Sequence, residues 1–168
     1  MALDNVLITG SSKGLGYYLS KYFAEKGHHV LLHGRNIKNL KSIKNEFDNL
    51  GLSSAYIRSD LRNPMEIKDL AKTAIDKDIK ILVNNAGMTC PNIGFHEINS
   101  QIINNIIDIN LKAPIILLNL LHKNINQVIN INSMVGIEPK KNRSLYASSK
   151  WGLKGFSDSL KKEELPYS

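Results

Sequence analysis

The stretch Asn5-Val6-Leu7-Ile8-Thr9-Gly10-Ser11-Ser12-Lys13-Gly14-Leu15-Gly16 constrains this chain most, because an apolar strand runs directly into a glycine-rich turn and a helical pattern follows at once. Glycines at 10, 14 and 16 permit a tight turn and let the main chain approach an anion closely. The following helix points unpaired N–H groups and the positive end of its dipole at that anion. A lone glycine loop says little, whereas one placed between a strand and a helix has the context in which such loops seat a phosphate. Gly10, Ser12, Lys13, Gly14, Leu15 and Gly16 are therefore expected to hold the pyrophosphate of a dinucleotide.

The strand, turn and helix unit then repeats. Residues 29–33 and 54–58 read as further strands, with helices over 14–26, over 37–50 and from Pro64 onward. Asn63 is a cap for the third helix, with Pro64 in its first position and Glu66 placed to complete a capping box. Residues 79–83 form a fourth strand that is apolar on both faces, so the sheet is expected to be covered on both sides. A long helix over 100–121 leads to a fifth strand at 128–131 and a last helix over 144–165. Alternation of this kind implies parallel pairing, and right-handed crossovers restrict it to an α/β doubly wound sheet, order 3-2-1-4-5, with helices on both faces. A ligand then belongs beyond the strand C-termini, between strands 1 and 4. Residues 9–16, residues 84–87 and Ser133 all lie at those ends.

Composition narrows the function classes. The 168 residues show no linker or repeat and read as one domain over 1–168, large enough to bury about two-thirds of the unfolded surface. Cys90 is the lone cysteine, which excludes an internal disulfide. The N-terminus lacks the basic-then-apolar pattern of a secretory leader, and the longest apolar stretch, 113–121, falls short of the roughly 20 residues that cross a bilayer. A cytoplasmic protein without a membrane partner is expected. The net charge of +7 comes from basic residues spread along the chain with no aromatic interleaving, so a nucleic-acid partner is not expected. Histidines 28, 29, 33, 96 and 122 show no ligand spacing with Cys90 or paired carboxylates, and no metal site is expected.

Two further groups carry chemistry. Arg35 stands just past the second strand, where an open sheet presents the adenosine ribose, and Gly34 occupies the place where a carboxylate would bind a 2′-hydroxyl. With Lys13 in the loop, two cations are placed to pair with a 2′-phosphate, so NADP(H) is expected over NAD(H). Asp60, after the third strand, either accepts from the adenine amine or caps a turn. Tyr146 and Lys150 are four apart and share one helix face. Free tyrosine titrates near 10, and an adjacent ammonium favours its phenolate, so a tyrosine in that setting can exchange a proton with a substrate oxygen. Ser133 is placed to donate a hydrogen bond to the same oxygen. Lys140, Lys141 and Arg143 either draw an anionic substrate or carrier or form a solvated loop.

In order along the chain, Thr9-Gly10-x-x-x-Gly14-x-Gly16, Asp60-Leu61, Asn84-Asn85-Ala86-Gly87, Asn110, Ser133 and Tyr146-x-x-x-Lys150 resemble the short-chain dehydrogenase/reductase family, core non-extended type. The resemblance spans residues 5–165. It implies that Asn84 to Gly87 steady the central sheet and that Leu61, Asn85, Ala86, Gly87, Tyr146 and Lys150 join the cofactor site. It also implies that Asn110 bends its helix and holds a water linking Lys150 to solvent, which makes Asn110, Ser133, Tyr146 and Lys150 the catalytic set. Family members usually continue with a sixth strand, a Pro-Gly turn, a substrate-covering segment and a seventh strand. The expectation is thus a C-terminally truncated member lacking the last two strands, with Val128, Ile129 and Ile131 on an open edge. The implied reaction moves hydride between NADP(H) and a carbonyl or secondary alcohol substrate, the alternative being a non-catalytic dinucleotide-binding relative. Helices 100–121 and 144–165 present apolar faces that serve either a second copy in a homo-oligomer or the core.

Overall fold

The computed structural model describes residues 3–163. Strands β1 (Asn5–Ile8), β2 (Val30–Gly34), β3 (Ser54–Arg58), β4 (Ile79–Asn84) and β5 (Gln127–Asn130) form a parallel sheet in the order β3-β2-β1-β4-β5. This is the expected doubly wound topology. β5 begins and ends one residue earlier than the apolar run suggested, because Asn130 pairs opposite Asn84 and closes the ladder. The helices are α1 (Gly14–Glu25), α2 (Ile37–Asn49), α3 (Pro64–Asp76), α4 (Ser100–Ile107), α5 (Ala113–Leu121) and α6 (Ser144–Leu160). Residues 164–165, expected to finish the last helix, lie outside the described residues.

Successive strand residues point to opposite faces, and the apolar runs divide accordingly. Leu7, Leu31 and Leu82 pack against Ile67, Leu70 and Ala74 of α3 and Leu117 and Leu121 of α5. Val6, Ile8, Leu32 and Val83 pack on the other side against Ala24 of α1 and Leu40, Ile43 and Phe47 of α2. Both faces are therefore dry, which is why these strands carry unbroken apolar runs rather than alternation. Asparagine starts three helices. The side-chain oxygens of Asn36, Asn63 and Asn99 accept from Lys38, Met65 and Ile102 main-chain N–H groups at 2.9, 3.0 and 2.9 Å.

Two local features differ from the sequence reading. Glu66 does not close a capping box on the main chain of Asn63. Its carboxylate accepts instead from the Asp60 N–H at 2.8 Å and from Arg58 at 2.7 Å, tying α3 to the end of β3. The helix expected over 100–121 is interrupted by a wide π turn at Asp108–Lys112, where the Ala113 N–H reaches back to the Asp108 carbonyl. Pro114 accounts for it: without an N–H it cannot donate to the carbonyl four residues back, at Asn110, and its ring clashes with that carbonyl in a regular α-helix. Counted through this turn, Ser100–Leu121 is long and apolar enough to cross a membrane. Its Ala113, Leu117, Leu118 and Leu121 are nevertheless committed to the core beneath the sheet, and its Ile106 to a cluster with Cys90 and Leu145.

Phe47 is fully buried between α2 and the sheet. Phe47→Ala is expected to lower unfolding stability by about 3–5 kcal/mol, read from the urea midpoint. A loss below about 1 kcal/mol would show that α2 contributes little to that layer.

Candidate functional site

β1 and β4 are neighbours, yet the chain leaves β1 toward α1 on one face and leaves β4 toward α4 on the other, which opens a crevice at their C-terminal ends. The crevice holds about 340 Å³. From the first turn it is lined by Gly10, Ser12, Lys13, Gly14, Leu15 and Gly16, from the end of β2 by Gly34 and Arg35, from the end of β3 by Asp60 and Leu61, and from the end of β4 by Asn85, Ala86 and Gly87. His33, Ser59, Met88 and Ile109 complete the lining.

The loop's bare Cα atoms set its shape. Gly10 has φ +69°, and a Cβ there would stand 2.9 Å from the Cα of Ala86. A Cβ on Gly16 would overlap the Gly10 carbonyl. No side chain caps α1, so the N–H groups of its first turn are left to an outside acceptor, as a phosphate cradle requires. Thr9 ties the two strand ends together: its hydroxyl oxygen accepts from the N–H groups of Asn85 and Ala86, both at 3.0 Å. The amide of Asn85 donates back to the Thr9 carbonyl at 2.9 Å. Asn84 donates to the Asn130 side chain at 2.9 Å, which extends the tie to β5.

Past β3, Asp60 is not a free acceptor: its carboxylate caps the turn by accepting from the Arg62 N–H at 3.0 Å. Arg62 grips its carboxylate with the guanidinium, which holds the Asp60 pKa down at about 2 despite partial burial. Arg35, Lys38 and Arg62 line an open basin beside Asp60, so cations surround the place where a ribose phosphate would lie.

Asn110, Ser133, Tyr146 and Lys150 lie outside the crevice wall, and Gly87 joins that wall to two of them, Asn110 and Lys150. A Cβ on Gly87 would come within 3.5 Å of Asn110 Oδ1 and 4.0 Å of Lys150 Nζ. Asn110 accepts from the Met88 N–H at 2.8 Å and donates to the Met88 carbonyl at 2.9 Å and to Ser149 Oγ at 3.0 Å. Its side chain is thus fully taken up in joining the segment after β4 to α6. Lys150 is buried, its ammonium donates to the Ile131 carbonyl at 2.8 Å, and desolvation lowers its pKa. Tyr146 is half-buried against an apolar cluster that includes Cys90 and Leu145. Ser133 follows β5, and its Oγ accepts from the Val135 N–H at 3.4 Å. Arg143 donates to the Cys90 carbonyl at 2.7 Å, so of the three basic residues before α6 one is structural.

Sequence reasoning placed Thr9 in the first motif without giving its hydroxyl a role, and it missed Ser149 and His33. The signal for His33 was present: a single imidazole in the otherwise apolar run Val30-Leu31-Leu32 must find partners when buried. It accepts from the Gly10 N–H at 3.1 Å and bonds the Ser59 carbonyl at 3.2 Å.

Two outcomes follow from these contacts. Gly16→Ala is expected to destabilise the chain by about 1–3 kcal/mol and to abolish dinucleotide binding, because the obstructing atom is backbone. Wild-type affinity in a folded Gly16→Ala protein would show that the loop is shaped otherwise. The second concerns acid. Burial pushes the His33 pKa from 6.5 down to about 4, against the opposing pull of the Ser59 bond and the Asp60 charge. Between those values the unfolded chain binds the proton and the folded one does not, so stability is full above pH 6.5 and falls by about 3 kcal/mol on the way to pH 4. The Asp60 contribution is lost only below its ordinary 3.8, through about 2. Urea midpoints across pH 7 to 2 are expected to fall in these two stages. In His33→Asn the first stage should be absent, and an unchanged slope would assign it to another group.

The family model for short chain dehydrogenases matches residues 4–168. The chain is 34% identical over 163 residues to a 3-oxoacyl-(acyl-carrier-protein) reductase of Rickettsia prowazekii, covering 94% of this chain and 65% of that protein. It is 31% identical over 163 residues to an NADP-dependent 3-hydroxy acid dehydrogenase of Salmonella typhi, covering 93% of this chain and 64% of the relative. It thus spans just under two-thirds of the length of these relatives. Among solved structures, a metagenomic short-chain oxidoreductase in complex with NADP superposes with a TM-score of 0.89 at 28% identity, over 97% of this chain and 78% of the other. A glycine-shaped crevice, a buried lysine one residue's breadth from it and matches along nearly the whole length have one common source: the chain belongs to the short-chain dehydrogenase family.

Proposed function

We propose that the chain binds NADP(H) in the crevice and works as an oxidoreductase on a carbonyl or secondary alcohol substrate, with Tyr146 as acid and base. The observation that carries this reading is the meeting of the crevice wall with Lys150 at Gly87, where Lys150 Nζ stands 4.0 Å from where a Cβ would be, with Tyr146 one turn earlier on the same helix. Gly10 to Gly16 would hold the pyrophosphate. Lys13 and Arg35 would pair with a 2′-phosphate, and the absence of an acid at Gly34 favours that phosphate over a bare hydroxyl. Asp60, held in place by Arg62, and Leu61 would border the adenine. The names of two similar proteins, one NADP-dependent and one solved with NADP, support the same cofactor.

The bound nicotinamide supplies or takes up the hydride. Tyr146 gives its phenolic proton to the carbonyl oxygen in reduction and removes the hydroxyl proton in oxidation. Ser133 donates a hydrogen bond to the same oxygen; its Oγ accepts from Val135, which leaves the hydroxyl proton for that task. Lys150 spends one donor on Ile131 and has two left for the nicotinamide ribose and for the phenol oxygen. Asn110 supports the proton relay from Lys150: its side chain fixes Met88 and Ser149, and Pro114 leaves its main-chain carbonyl without the usual helical donor.

Following NADPH absorbance with 3-oxoacyl esters, aldehydes and ketones tests this reading. Tyr146→Phe should lower kcat at least 100-fold with the cofactor Kd nearly unchanged. Equal turnover in that variant would remove the proposed acid. Arg35→Ser should raise the KM for NADPH about tenfold or more and leave that for NADH little changed. The second reading, a dinucleotide-binding protein without turnover, is favoured by the position of Ser133 and Tyr146 outside the crevice lining. Tight NADPH binding with no oxidation across the panel would decide for it.

A further inference from the structure

We propose that His33 is a positioning residue for the cofactor site, whose neutral imidazole locks the pyrophosphate loop to the adenosine side of the crevice. This rests on the dinucleotide reading above and names a residue that reading does not use. The Gly10 N–H can only donate and the Ser59 carbonyl can only accept. Nδ1 must therefore be bare and accept from Gly10 at 3.1 Å, and Nε2 must carry the hydrogen and donate to Ser59 at 3.2 Å. A ring protonated on both nitrogens cannot accept from Gly10.

The same residue is gripped through its main chain. The Ser11 N–H donates to the His33 carbonyl at 2.8 Å, and Ser11 Oγ accepts from the His33 N–H at 2.7 Å. The ladder of β1 and β2 thereby runs on past the strands into the loop, and the imidazole carries it across to β3. Each partner adjoins proposed cofactor contacts: Gly10 opens the pyrophosphate turn, and Ser59 precedes Asp60 and Leu61. His33 backs the crevice wall but is only 2% exposed, and both ring nitrogens are taken up by Gly10 and Ser59, so it acts through these neighbours. Asp60 after β3 is the charged group that acts on the ring, and Lys13 and Arg35 line the same crevice; Gly10 and Ser11, which face it from the β1 loop, do not titrate.

The test compares the full chain with His33→Asn and His33→Leu. Asparagine places an acceptor oxygen where Nδ1 lies, and leucine fills the volume without one. Calorimetric titration with NADP⁺ at pH 7.5 should give a Kd raised at least tenfold in His33→Leu and within about threefold of wild type in His33→Asn. Between pH 7 and 4.5 the wild-type affinity should fall more steeply than that of His33→Asn, and two-bond ¹H–¹⁵N spectra of the wild type should report the Nε2–H tautomer. A folded His33→Leu protein with wild-type affinity, equal losses in both variants, or an Nδ1–H tautomer would each overturn the role. Should His33→Leu fail to fold, the tautomer and the pH comparison still decide. Wild-type chain that binds no NADP⁺ would instead refute the dinucleotide reading itself, and the role of His33 with it.

Discussion

The site depends on one shared hydroxyl. Thr9 Oγ1 receives the N–H groups of Asn85 and Ala86 at the point where β1 and β4 part company, one heading for α1 and the other for the far face of the sheet. Two strands that diverge leave unpaired main-chain groups behind them, and burying those groups costs more than a hydrogen bond returns. A β-branched side chain with an oxygen satisfies two donors at once and keeps the strand ends close enough for Gly10 to lie on Ala86. Where that contact forms, a Cβ at position 10 has no room, and the bare loop faces outward to an anion. The crevice is thus a consequence of how the sheet ends, and the glycines are the residues that tolerate it.

Much of this was legible in the sequence because it concerns residues whose chemistry has few uses. The apolar strands, the glycine turn after the first and the Asn63 cap led to the correct strand order, and every loop and strand-end residue expected around the pyrophosphate and adenosine lines the crevice. What escaped were relations between residues distant in the chain. Glu66 looked like half of a capping box three residues from its cap, and no spacing rule could say that the Asp60 N–H and Arg58 would compete for it successfully. His33 was weighed as a metal ligand and set aside on spacing, which was the wrong question for an imidazole inside an all-buried strand. The break in the long helix includes Asn110, where the resemblance implied a bend, while its cause at Pro114 was concealed by the apolar periodicity on either side.

The two halves of the site are built to different standards. The side proposed for the pyrophosphate is made of main chain, with glycines and hydroxyls that set its shape and one imidazole behind it, so its tolerance for substitution is sterically narrow. The side proposed for the adenosine is made of long charged side chains over an open basin, where Arg62 holds Asp60 in place. Such surface pairs contribute little to stability, typically less than about 1 kcal/mol. Their value here is orientation: a carboxylate gripped by a guanidinium keeps a fixed set of remaining lone pairs.

Lys150 shows why α6 must be anchored so firmly. An ammonium carries three donors and is costly to bury unless they are satisfied, yet the Ile131 carbonyl is its one hydrogen-bond acceptor among the described residues. The lysine is kept there by bonds that flank it: Ser149 to Asn110 just before, and the Trp151 indole to the Val135 carbonyl just after, at 3.0 Å each. Those neighbours fix the helix in rotation, so that the lysine cannot turn out to water without breaking both. A buried cation under constraint, with donors in excess and Gly87 beside it, is stabilised most by a ligand that brings oxygen acceptors to that spot.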